Sequence, residues 1–162
     1  MVTDAEISYE IPKQPEIKPI KEDYGKYVLS DGAIIMVRVI LNDVIITGED
    51  PIGPKLALSA TTALRVLVDD DVKKRMKDKP LATERIDPRD PGWELVDVIE
   101  ADPAISQYLI NDQYKLEIKL EIVGVAKNAQ YRTPACTPVY TVRWGLVTKI
   151  ERHALEADKL SQ

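Results

Sequence analysis

Phenylalanine is absent from this 162-residue chain, and cysteine and histidine occur once each, as Cys136 and His153. A single thiol cannot close an internal disulfide, and one Cys with one His falls short of the four ligands of a structural zinc site. No metal site is expected, because GED and DDD offer carboxylates without the spacing or the glycine of a calcium loop. No Asn-x-Ser/Thr acceptor occurs, and the opening MVTDAEISYEIPK lacks the basic and apolar regions of a secretory signal. These absences together predict a reducing, cytoplasmic setting.

Long apolar runs are missing too. AIIMVRVIL is interrupted by Arg38 and falls well below the ~20 residues that span a bilayer, so no membrane insertion is expected. Basic charge is in deficit: 22 Lys and Arg against 27 Asp and Glu give a net charge of −5, which offers phosphates no general attraction. No nucleic-acid partner is expected. The glycines form no G-x-G-x-x-G, and GEDPIGP carries Pro54 where a P-loop needs lysine, so no nucleotide cofactor is expected by these routes. Lys73, Lys74, Arg75, Lys77 and Lys79 are largely offset by Asp69, Asp70, Asp71 and Asp78, which reads as a solvated helix face.

What is present is aliphatic and β-prone, in the proportions of an ordinary globular chain: 44% apolar and 30% charged residues. Asp31-Gly32 between KYVLS and AIIMVRVIL predicts a type I′ hairpin joining strands at about 25–30 and 33–41, the second continuing through Val44–Thr47 past a bulge at Asn42-Asp43. Leu56, Leu58, Ala60, Thr62, Leu64, Val66 and Val68 alternate as a long strand, although residues 56–68 also permit a helix. Tyr114, Leu116, Ile118, Leu120 and Ile122 form the cleanest alternation, and Tyr140, Val142, Trp144 and Leu146 repeat it. If those two strands are neighbours, Glu117 or Glu121 can meet Arg143. PKLALSA and PVYTVRW each begin an alternation at a proline, Pro54 and Pro138, a likeness that chance produces readily.

DDDVKKRMKDKP predicts one or two helical turns, PAISQYLIN (103–111) a helix opened by Asp102-Pro103, and ERHALEADKLSQ a short terminal helix. WELVDVIE, 93–100, fits either type. The fold class is therefore mainly β: an antiparallel barrel or sandwich of hairpins with two or three short helices. Residues 1–23 read as an extended arm, 24–150 as one β-rich domain and 151–162 as a tail.

For function, the arm carries the leading expectation. Ile7, Tyr9 and Ile11 alternate on a tether stiffened by Pro12, Pro15 and Pro19 and continue to Ile17 and Ile20, an apolar strip suited to a partner's sheet edge. This predicts a non-catalytic assembly subunit that binds a protein partner or itself as a homo-oligomer. The first alternative is a module binding a small ligand or peptide where loops 48–55 and 128–138 converge, with Asp50, Tyr131, Arg132 and Cys136 at the mouth. The second is a cysteine-dependent enzyme. Cys136 would need His153, seventeen positions away in a charged terminal segment, as its base, and no catalytic residue is assigned.

Overall fold

The computed structural model describes residues 11–153, and its period-two burial builds two antiparallel sheets. In the first, β2 (Gly25–Leu29) turns into β3 (Ile34–Asp50), which buries Ile35, Val37, Val39 and Leu41 at every second position. The register slips at Asn42, as the polar break in the sequence predicts, and burial resumes at Val44. β4 (Gly53–Leu67) returns along the whole of β3, so the ambiguous stretch is strand up to Leu67.

The chain then forms its one described helix, α1 (Asp70–Met76), capped by Asp69, whose carboxylate accepts the Val72 N–H at 3.0 Å. Residues 93–100 resolve into two strands, β5 (Trp93–Val96) and β6 (Val98–Asp102). β6 completes the first sheet, whose order is β4-β3-β2-β6.

In the second sheet β8 (Tyr114–Arg132) is the spine. β9 (Pro138–Arg152) runs along one flank, while β7 (Ile105–Ile110) and β5 share the other. β1 (Ile17–Glu22) pairs with β7 at the edge. Buried side chains of both sheets form one core, from Leu29, Val37 and Val39 on one side to Tyr108, Ile118 and Leu120 on the other. Three hydroxyls cross between the sheets: Tyr27 donates to the Leu120 carbonyl at 2.7 Å, Ser106 to that of Val39 at 2.6 Å, and Tyr108 accepts the Leu41 N–H at 2.9 Å.

Several expectations are corrected. The sheets do not close into a barrel, and the described residues hold one helix rather than two or three. Residues 103–111 hold β7 instead of a helix: Ser106, Tyr108 and Ile110 face inward at every second position, and ladders to β1 and β8 on both flanks override the local helical pattern. Asn111 (φ 53) and Asp112 (φ 56) supply the left-handed turn into β8.

The Asp31-Gly32 hairpin is real but is not type I′, because only Gly32 has a positive φ (88°). Leu29 and Ala33 bond across a three-residue loop, and the Asp31 carboxylate accepts the Ala33 N–H. β8 and β9 are neighbours, but their register sets Glu117 against Lys149 and Glu121 against Gly145, and a bulge at Val123 places Arg143 opposite Gly124. Glu151 and Arg152, placed in the expected terminal helix, end β9; 154–162 lie outside the described residues.

Candidate functional site

Ile7 and Tyr9 lie outside the described residues. Ile11 is 85% exposed beside an open groove of about 550 Å³ lined by Ile11–Lys13 and Ile45–Glu49. From there the segment is held by its own chain. The Lys13 carbonyl accepts the Ile46 N–H at 2.9 Å and Gln14 Nε2 donates to Asp43 at 3.0 Å. Glu16 exchanges hydrogen bonds with Asn111, and Lys18 Nζ reaches Asp112 at 3.1 Å. Ile17 packs against the core, and Ile20 is the extra residue of a bulge in β1, half exposed.

The loop residues are not brought together. Asp50 Oδ1 accepts the Ile52 and Gly53 N–H groups in the β3–β4 turn, and Gly53 packs on Tyr114 at the start of β8. Tyr131, Arg132 and Cys136 sit at or beyond its other end, roughly 60 Å away along an extended strand of this length. Tyr131 lines a shallow groove with Leu81–Asp87, and Arg132 ties the chain after α1 through the Lys79 and Pro80 carbonyls. Cys136 occupies a left-handed position (φ 61) in the tight 133–137 turn. His153 bonds the Gln113 carbonyl at the opposite end of β8, so thiol and imidazole form no dyad. Among the described residues no three His, Cys, Asp or Glu side chains gather as metal ligands, and no helix is long and apolar enough to cross a membrane.

Sequence reasoning missed a polar cluster under α1. Asp31 Oδ2 accepts from Tyr140 OH at 2.6 Å and Lys127 Nζ at 3.0 Å, with the Asp31 and Lys127 side chains only 17% and 20% exposed. Burial pulls the Asp31 carboxyl up, but the hydrogen bonds from Tyr140, Ala33 N–H and Lys127 outweigh it and hold it below the usual carboxylate value. Burial and the facing carboxylate push the Tyr140 phenol well above its ordinary value, so it stays a donor. Val68, Val72, Arg75, Met76 and Pro138 enclose about 130 Å³ over this cluster. Every Asp31 partner is a fold contact, which makes the cluster a clasp between the β2–β3 turn and the β8–β9 ribbon.

The sheet edges are the more unusual feature. β1 is blunted by Lys18, Pro19, Lys21 and its bulge, as edges of monomeric proteins are. β4 and β9 are 15 residues each, against the usual 3–10, and among the described residues each pairs on one side only. Their core-side faces are partly open: Leu64 on β4 and Trp144 and Leu146 on β9 are each about 40% exposed. Edge status was invisible in the alternating pattern, which reports which face is buried and says nothing of lateral neighbours. No family model matches the chain, and no curated protein or solved structure matches it.

Proposed function

We propose that the chain is a non-catalytic assembly subunit that engages a protein partner, a second copy included, through its long sheet edges and its N-terminal segment. The observation that carries this reading is the pair of 15-residue edge strands, β4 and β9, with open backbone donors and acceptors and half-open apolar faces. Such edges recruit strands and are normally blunted where they have no use. The N-terminal alternation Ile7, Tyr9, Ile11 belongs to the same reading, as a strand offered to a neighbour's edge.

Light scattering and native mass spectrometry of the purified chain, and of any stoichiometric complex isolated with it, test the reading. Three variants address the three surfaces: Ala63→Lys on β4, Val147→Lys on β9, and a chain beginning at Ile11, which keeps β1. At least one of them abolishes association while the far-UV spectrum and melting midpoint hold. Association unchanged in all three removes the assembly role.

A further inference from the structure

We infer that β9 pairs antiparallel with β9 of a second copy, about a dyad through Val147. The inference rests on the assembly reading and names its partner. A two-fold axis normal to the sheet keeps the core-side faces of both copies on the same side, so only residues of equal parity can face each other across the new edge. Dyads at residues 143 to 147 overlap eleven residues of β9 or more, and only the one at 147 sets opposite charges face to face.

With Val147 on the axis, Arg143 faces Glu151 of the second copy, and the match occurs twice by symmetry. Moving the axis one residue back, to Leu146, sets Arg143 against Lys149, two like charges. Moving it one forward, to Thr148, loses the Arg143–Glu151 match and puts Arg152 against Trp144. Arg143 has no ion-pair partner among the described residues, while Glu151 is half exposed and held only loosely by Lys115 at 3.8 Å and Lys149 at 3.9 Å.

The same register sets Lys149 of one copy over Gly145 of the other. A Cβ at Gly145 would meet nothing within 4 Å, so the lysine stem has room. Beyond Gly145, its direct partner on β8 is Glu121. Each lysine therefore gains a carboxylate across the axis. On the core-side face Trp144 meets Ile150, and Leu146 meets Thr148, covering the two apolar side chains that the fold leaves 42% and 38% exposed. Val147 itself, 50% exposed, meets its symmetry mate.

Eleven residues, Val142–Arg152, overlap in each copy, enough for about ten backbone hydrogen bonds along the shared edge. The result is closed: β9 is consumed and no further copy can add there. β4 offers no such match: its only charges are Lys55 and Arg65, both positive, and in the register of fullest overlap, about Ala60, a self-paired β4 would bring them together.

The test uses the full chain. In a Cys136→Ser background, Gly145→Cys, Val147→Cys and Lys149→Cys are oxidised separately. Only Val147→Cys lies opposite itself, within the Cβ separation that a cross-strand disulfide tolerates, so it alone gives a covalent dimer in high yield. Preferential linkage at 145 or 149 overturns the register. In sedimentation equilibrium Arg143→Glu and Glu151→Arg each weaken the dimer by about tenfold or more, and the double charge swap restores it to within about twofold. A swap that fails to restore overturns the pairing. A chain that is monomeric at about 200 µM and uncrosslinked at 147 overturns the dimer. The assembly reading fails separately, only if Ala63→Lys and the chain beginning at Ile11 also leave every complex intact.

Discussion

Asp31 shows how much of this fold depends on single side chains whose partners are remote in sequence. Its carboxylate closes its own turn through Ala33 N–H and also receives Tyr140 and Lys127, about a hundred residues away. The sequence marks Asp31 only as a turn residue, since nothing local announces the other two partners. Because the folded-state pKa lies below the unfolded one, the unfolded chain takes up the proton first as pH falls. The stabilisation is therefore complete at neutral pH and is lost from about pH 4 downward, through the folded-state value. Asp31→Asn is expected to be less stable than wild type by about 1–3 kcal/mol at pH 7, since the amide accepts more weakly and faces the ammonium without a charge. The gap narrows as the pH drops below about 4. Melting curves at pH 7, 4 and 3 measure it, and a constant gap would place the acid sensitivity on other carboxylates.

At the scale of elements, turns decide what alternation leaves open. The β7–β8 hairpin hangs on Asn111 and Asp112, both left-handed, and that turn also anchors the start of β1. Asp112→Val puts a branched side chain where φ is 56° and is expected to cost about 1–2 kcal/mol, whereas Asp112→Gly stays within about 0.5 kcal/mol of wild type by giving up Lys18 but relieving the backbone. Equal losses in thermal melts would mean that the ion pair, and not the turn geometry, matters there. The strands with strict alternation, β3, β8 and β9, were legible in sequence, as was the bulge at Asn42, whereas the residues of β4 also permitted a helix. β7 was not: its inward positions are Ser106, Tyr108 and Ile110, so two of its three buried positions carry hydroxyls, which find their partners only at the Val39 carbonyl and the Leu41 N–H of the other sheet and at Glu22 in β1. The likeness of PKLALSA to PVYTVRW has a structural counterpart, since both open the return strands of the two longest hairpins, and both strands end up as sheet edges. Which strands form edges depends on pairings between segments far apart in the chain, so the candidate interface could be read only from the fold.

At the scale of the whole molecule, the two sheets are tied to each other at several points. The chain leaves the second sheet at Val96 and joins the first at Val98, with Asp97 bonded to Ser30 from both its N–H and its carbonyl. Gly25 lies so close to Pro103 and Ala104 that a Cβ there would strike their backbone, which pins β2 to the crossover into β7. The Tyr27, Ser106 and Tyr108 hydroxyls then bridge the shared core, where an unmade hydrogen bond costs more than the bond itself contributes. Tyr108→Phe removes the acceptor of the Leu41 N–H and the donor to Glu22, and about 1–3 kcal/mol of stability should go with them. Both tryptophans, Trp93 and Trp144, belong to the second sheet, whereas far-UV circular dichroism reports both sheets together. In urea the two signals should trace one transition, and Tyr108→Phe should move both midpoints down together with an unchanged m value. A fluorescence transition that precedes the loss of ellipticity, in either protein, would mean that the second sheet opens on its own and that the bridging hydroxyls do not couple the two.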